Sequence, residues 1–367
     1  MIYYRILYDK MIDNRIKYDY NTKMRVIRER MYTGKGWGGV NSVIKMGILG
    51  CADIAYRRFL PAAGQMEQVK AAVIAEEYDK SRLDRFRGFY GLQIEESFEQ
   101  VLQRPDIDAV YIPQPPAFHA LWAKKALEYG KHVLLEKPAA CSLEDVQGLV
   151  ACAREKRLVL HENYAFLYHA QIGKIKELLA KDRIGELRLI RTNFCFPFRG
   201  ENDFRYRKEL GGGALLDAGG YPVKLASILL GSGIRVEAAR LNYRAGYEVD
   251  LFGSATLSDD TGTVCQMGFG MDCFYQCSLE MIGSTGRIFT DRIFTAPQEY
   301  QAVLCLETSS GKERIYVLDS AFVHSIAAFA HEIQNDAARE AMYHELLIQA
   351  ELIADIHRKG IEHANYI

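Results

Sequence analysis

Val43-Ile44-Lys45-Met46-Gly47-Ile48-Leu49-Gly50-Cys51-Ala52-Asp53-Ile54-Ala55 is a short apolar run that breaks at a glycine and passes into residues able to start a helix. Where a strand turns into a helix through glycine, backbone N–H groups can approach an anion at the helix N-terminus. The spacing Gly50-x-Ala52-x-x-Ala55 has alanine where the usual fingerprint has its middle glycine, so the turn alone fits an ordinary strand–helix connection as well. Position and surroundings carry the reading further.

Outward from this turn, apolar runs and helical patterns alternate. A second strand is expected over 69–75, a polar helix over 80–90, and a helix over 98–102 with Ser97 as its N-cap. A strand over 108–112, a helix over 117–129 and a strand over 132–135 follow, the last running into Glu136-Lys137-Pro138. Ser142 with Asp145 starts another helix, and 158–161 is a further strand. This rhythm describes a doubly wound α/β domain of Rossmann type over 43–163. Past Asn163 the rhythm changes. A helix over 170–181, a strand over 186–196, the run Gly211-Gly212-Gly213 and a helix over 221–230 lead into strands at 234–243, 251–258, 262–269, 275–282, 287–291, 301–307 and 312–318. Turns such as Asp259-Asp260-Thr261-Gly262 join them, which implies an α+β domain over 164–367 with an open, largely antiparallel sheet. Two helices, 322–335 and 341–359, close it.

Residues 1–42 are rich in Tyr, Arg and Lys and keep no period. They read as a disordered extension or a start codon assigned too early, with an arm that packs on a partner subunit as the alternative. Net charge is −1 over 367 residues, so no bulk field attracts nucleic acid or an anionic membrane. No window has the apolar length of a membrane span, and the start lacks a signal core. The eight cysteines are scattered, as in reduced cytoplasmic proteins, and their spacing holds neither a disulfide frame nor a metal.

Ligands of open α/β sheets lie beyond the carboxyl ends of the strands. Gly50 to Ile54 stands at the first such end. Glu76 and Glu77 stand at the second, about 25 residues on, where a carboxylate accepts hydrogen bonds from ribose hydroxyls and repels a 2′-phosphate. That favours NAD(H) over NADP(H), with two solvated loop acids as the plainer reading. The loop Tyr111-Ile112-Pro113-Gln114-Pro115-Pro116-Ala117-Phe118-His119 is stiffened by proline, and His119 is either cofactor-facing or structural. Glu136-Lys137-Pro138 brings an ammonium group to the same edge, though an exposed ion pair would explain the tripeptide.

Taken together, Gly47 to Ala55, Pro115-Pro116-Ala117-Phe118-His119, Glu136-Lys137-Pro138 and Gly211-Gly212-Gly213-Ala214-Leu215-Leu216-Asp217-Ala218-Gly219-Gly220-Tyr221-Pro222 resemble the glucose–fructose oxidoreductase/inositol dehydrogenase/MocA family. Gly50 to Arg58, Glu162 to Gln171, Gly283-Ser284-Thr285-Gly286-Arg287-Ile288 and Arg292 to Gln301 are similar, more narrowly, to its sugar-nucleotide 3-ketoreductases of deoxysugar biosynthesis. Those relatives generally use NADPH, and Glu76 and Glu77 depart from their arginine-bearing cofactor loop. The resemblance implies NAD(P)-dependent reduction of a nucleotide-linked 3-keto-hexose. The alternatives are a dehydrogenase of free sugars, inositols or trans-dihydrodiols, or a non-catalytic dinucleotide sensor.

The resemblance places Lys137 and Tyr221 beside the nicotinamide. Tyr221 is expected to donate the proton with Lys137 as its electrostatic partner, although the roles could be exchanged. Asp217, four residues before Tyr221, is expected to hold substrate or orient Lys137, or simply to cap the helix. Tyr168, His169 and Gln171 are expected to line the sugar pocket, and Arg205 to face a phosphate; surface roles explain each as well. The family likeness also implies a cis Lys137–Pro138 bond and a homo-oligomer, dimer or tetramer, built through the second sheet.

Overall fold

The computed structural model describes residues 43–88, 91–362 and 365–366, so the reading of 1–42 lies outside the described residues. The first sheet holds β1 (Ile44–Leu49), β2 (Val69–Ala75), β3 (Gln93–Glu95), β4 (Ala109–Ile112), β5 (His132–Glu136) and β6 (Leu160–Asn163). Its order is β3-β2-β1-β4-β5-β6 with every pair parallel. The order reverses between β1 and β4, which opens a crevice at their carboxyl ends. Helices α1 (Leu60–Ala63), α2 (Leu83–Arg87), α3 (Phe98–Gln103), α4 (His119–Glu128) and α5 (Leu143–Lys156) lie among these strands in the chain. Because both faces are covered, β4 is buried throughout and β5 from Val133 onward, as parallel strands require.

Local chemistry explains the element ends. Ser97 Oγ accepts from Gln100 N at 3.2 Å and Ser142 Oγ from Asp145 N at 3.1 Å, so both expected caps form. The helix expected over 80–90 is divided. Asp79 caps a 3₁₀ turn, Lys80–Arg82, and α2 then ends at Gly88. The short β3 was not anticipated.

The second sheet holds β7 (Leu187–Cys195), β8 (Arg235–Tyr243), β9 (Phe252–Ser258), β10 (Val264–Gly270), β11 (Gln276–Gly283), β12 (Gly286–Thr290), β13 (Ala302–Thr308), β14 (Gly311–Val317) and β15 (Asn365–Tyr366). Its order is β14-β13-β12-β11-β7-β10-β9-β8-β15. Most pairs are antiparallel, but β7 sits between β10 and β11 and runs parallel to β10. Along β7, Ile190, Thr192 and Phe194 are buried while Arg191 is exposed, so one face is covered and the other is open. The helices α6 (Ala170–Ala180) and α7 (Gly220–Leu230) belong to this half of the chain.

The closing helices α8 (Ala321–Gln334) and α9 (Asp336–Ile361) connect the two sheets. Ile326 and Phe329 of α8 share a core with Met46, Ile48 and Tyr111 of the first sheet. Met342, Tyr343 and Leu346 of α9 enter the core on its other face, while Leu352 and Ile356 enter that of the second sheet. Among the described residues no helix is long and apolar enough to cross a membrane.

Candidate active site

The carboxyl edge of the first sheet is preorganised around Gly50. Its φ of 120° is open to glycine, and a Cβ there would meet Gln114 Nε2 at 3.1 Å. Gln114 Nε2 donates to Leu49 O at 2.9 Å, so the loop after β4 braces the turn after β1. Glu76 is buried at the end of β2. Its Oε2 accepts from Cys51 N at 2.7 Å and its Oε1 from Tyr78 N at 2.9 Å, which fixes a carboxylate beside the turn. That arrangement fits a dinucleotide, with the turn at the pyrophosphate and Glu76 at the ribose.

Other residues expected at the cofactor are committed elsewhere. Glu77 Oε1 accepts from Phe98 N at 2.6 Å, so it satisfies the start of α3. His119 is fully buried, with Nδ1 2.7 Å from Pro138 O and Nε2 2.7 Å from Gln114 O. Burial pulls its imidazole down to about 4 against the two carbonyls, which favour the protonated ring, and the side chain is enclosed between the two edge loops. Asp53 is exposed and pairs with Arg85 at 2.5 Å. Pro113 is buried, Ala52 half-buried, and Ile54 lines the adjoining cleft. Burial, with Glu76 beside it, pushes the Cys51 thiol up to about 12, which keeps it unreactive.

One strand along, the Lys137–Pro138 bond is cis. Lys137 Nζ donates to Asp217 Oδ1 at 2.7 Å and to Asp217 O at 3.0 Å. Arg205 Nε donates to Asp217 Oδ2 at 2.8 Å, and its Nη1 reaches Asp203 Oδ1 at 3.0 Å. Arg205 is therefore held by two carboxylates and is not set to face a phosphate. Asp217 stands on a widened helical turn, Leu215–Gly219, that continues into α7, and both its carboxylate oxygens take cations rather than capping a helix. Burial pushes its carboxyl up, yet Lys137 and Arg205 more than cancel this and hold it well below the usual range.

Tyr221 lies one turn on. Lys137 Nζ sits over its ring, 5.0 Å from the centroid, while the hydrogen bonds of the ammonium go to Asp217. Burial raises the Tyr221 phenol well above its ordinary value, and Asp217 and Glu136 raise it further. Tyr221 is thus a neutral phenol, and the Lys137 ammonium beside it is already balanced by Asp217. Phe194 at 4.8 Å and Tyr164 at 5.3 Å between ring centroids pack the tyrosine edge-on.

Glu136 begins a buried polar chain. Its Oε1 accepts from Tyr111 Oη at 2.8 Å and from Asn163 Nδ2 at 2.7 Å; Asn163 Oδ1 accepts from Ser325 Oγ at 2.7 Å. Ser325 Oγ lies 3.4 Å from His161 Nε2, and His161 Nδ1 lies 3.0 Å from both carboxylate oxygens of Glu332. The chain ties the end of β5 to α8.

A cleft of about 170 Å³ joins Glu136, Asn163 and Tyr221 to Phe166, Phe294 and Gln298. The residues expected to line a sugar pocket stand behind this wall. Gln171 is fully buried and donates to Arg292 O and Ile293 O, each at 3.2 Å. His169 is buried and accepts from Gln171 N at 3.2 Å, and Tyr168 stacks on His161 with centroids 5.6 Å apart. Asn163 and the segment around Phe294 were missed as site residues. Asn163 ends β6 at the ligand edge, a usable signal, whereas nothing in 292–301 alone points into a cleft. Among the described residues no cluster suits a metal ion.

The doubly wound sheet, its glycine turn and the paired second sheet define an NAD(P)-binding oxidoreductase. The description "Oxidoreductase family, NAD-binding Rossmann fold" matches residues 44–164 and "GFO/IDH/MocA C-terminal domain" matches 172–289, so the chain belongs to the Gfo/Idh/MocA oxidoreductase family. It is 40% identical over 292 residues to dTDP-3,4-didehydro-2,6-dideoxy-alpha-D-glucose 3-reductase of Saccharopolyspora spinosa, covering 79% of this chain and 88% of that protein. The Actinomadura kijaniata protein of the same description is 38% identical over 314 residues, 84% of this chain and 93% of that one. The crystal structure of KijD10, a 3-ketoreductase from Actinomadura kijaniata in complex with NADP and TDP-benzene, superposes with a TM-score of 0.83 at 36% identity, covering 89% of this chain and 99% of that one. Variants of KijD10 with one tyrosine or one lysine replaced have been solved with the same two ligands.

Proposed function

We propose that the chain reduces the ketone of a nucleotide-linked 3-keto-hexose, in the cytoplasm, with Tyr221 as proton donor and Lys137 as the orienting cation. The observation that carries this reading is the neutral Tyr221 phenol beside the Lys137–Asp217 pair at the edge where the fold binds its cofactor. Bound NAD(P)H supplies a hydride to the carbonyl carbon. Tyr221 gives its proton to the oxygen that becomes negative, and water restores that proton afterwards. Lys137 has three N–H bonds, of which two go to Asp217; the third is left for a substrate oxygen. A fixed donor and cation at the forming oxyanion lower the barrier because they need no reorganisation during reaction. A protein that only sensed a dinucleotide would have no use for this pair.

The same reading takes NADH over NADPH. Glu76 supports it, since its fixed carboxylate would repel a 2′-phosphate, and Arg82, the nearby cation, is paired with Asp79 at 3.2 Å. It also includes self-association through the open face of the second sheet, where Phe289 of β12 and Tyr316 of β14 are exposed; sedimentation at micromolar protein would return a dimer or tetramer, and a monomer would refute that part. The test of function is to titrate NADH against NADPH, then follow cofactor oxidation with a panel of nucleotide-linked keto-sugars, free sugars, inositols and dihydrodiols. Turnover confined to the nucleotide-linked ketones supports the reading. Turnover confined to the unlinked compounds would overturn it, and tenfold tighter NADPH would overturn the cofactor preference alone.

A further inference from the structure

A nucleotide-linked sugar carries a diphosphate, and Arg205, the cation first expected to meet it, is held by Asp203 and Asp217. The segment that lines the cleft beside Tyr221 with Phe294 and Thr295 carries another cation just before it. The Phe294 ring lies 5.7 Å from that of Tyr221, and Thr295, next in the chain, shares a 2.9 Å hydrogen bond with Tyr275 Oη. The Arg292 guanidinium lies over Tyr275, 5.1 Å from its centroid, and over Tyr300 at 5.3 Å.

Three features set Arg292 apart. It forms no ion pair with any described residue, and its Nε is buried without a hydrogen-bond acceptor. A buried donor without an acceptor costs stability, so a chain keeps one where something else supplies the acceptor. Its backbone is anchored from behind: the fully buried Gln171 donates to Arg292 O and Ile293 O, and Ile293 N donates to Cys277 O at 3.0 Å. Finally, the guanidinium is confined between two tyrosine rings, at 5.1 and 5.3 Å from their centroids, and a planar fork matches two phosphate oxygens. Arg57 and Arg58 line the cleft itself, from the helical turn Ala55–Phe59 that follows the dinucleotide turn.

We propose that Arg292, held against Tyr275 and Tyr300, is the subsite for the nucleoside diphosphate of the substrate; this rests on the reading of the substrate as nucleotide-linked. It gives Gln171 and His169 a purpose as well. They position the wall that presents Arg292.

The test is calorimetric titration of dTDP into the NADH-loaded enzyme, for the wild type, Arg292→Gln and Arg292→Lys, with NADH affinity as the check on folding. Wild type is expected to bind dTDP. Arg292→Gln should weaken it roughly 10- to 100-fold, the usual effect of losing a charged hydrogen bond, while NADH binding stays within about twofold. Arg292→Lys keeps the charge and the stem but not the fork, so it should still weaken dTDP several-fold, and it decides the matter should the glutamine variant not fold. Wild-type affinity for dTDP in a folded variant overturns the inference and leaves the proposed function standing. A wild-type enzyme that binds neither dTDP nor UDP, and turns over only unlinked sugars, removes the proposed function instead.

Discussion

Lys137, Asp217 and Tyr221 converge because the end of β5 and the start of α7 meet at one edge. The spacing of Asp217 and Tyr221 was readable as one helical face, and a lysine ending a parallel strand was readable as ligand-facing. What each hydrogen-bonding group was committed to was not readable. Glu77 satisfies α3, His119 joins two loops, and Arg205 is held by two aspartates; each partner is fixed by how loops and helix ends fold together, which no periodic pattern records. The electrostatics at this scale make a pH prediction. Burial, Asp217 and Glu136 raise the Tyr221 phenol above its ordinary value of 10.0, so its proton is retained across the usual assay range. The rate of ketone reduction should therefore show no loss from an ionising acid between pH 7 and about 10. A pH–rate profile that falls with an apparent pKa near 8 would assign the proton to another group.

At the scale of elements, most strands and helices were legible from apolar period and caps, because those signals are local. The place of β7 was not. Turn chemistry implied an open, largely antiparallel sheet but not its order: β7 inserts between β10 and β11, since only the packed sheet decides which edges meet. The glycine run packs tightly against the chain's own backbone. A Cβ on Gly212 would lie 2.3 Å from Arg205 O and 2.9 Å from Arg207 O, both backbone atoms that cannot swing aside. Gly212→Ala should therefore cost about 2 kcal/mol and lower kcat/KM by disturbing the Arg205–Asp217 pair. In Gly148→Ala, nothing lies within 4 Å of the new methyl inside α5. That control should instead gain about 1 kcal/mol. Urea midpoints for the two variants check this, and equal midpoints would contradict it.

Across the whole molecule, two sheets share the closing helices. Sequence order placed α8 and α9 with the second sheet, but their apolar faces also complete both cores of the first, a long-range fact that no local pattern carries. Buried titratable groups then make stability depend on pH. Burial raises Asp250 from 3.8 to about 6, while its carboxylate accepts from Leu215 N at 2.7 Å. The native state holds this proton where the unfolded chain has released it. The stability it contributes is present below pH 4 and lost as pH rises through 6, by about 3 kcal/mol at most. Asp250→Asn removes that dependence, so its melting temperature relative to wild type should climb between pH 4 and 7; parallel curves would contradict the assignment.

The central claim is that Tyr221 supplies the proton. Single-turnover oxidation of NADH with a dTDP-linked 3-keto-hexose, followed for wild type and Tyr221→Phe, tests it most directly. Loss of a positioned general acid should slow the step roughly 10²- to 10⁴-fold while dTDP and NADH affinities stay near wild type. A rate within threefold of wild type would contradict the account and move the proton to Lys137.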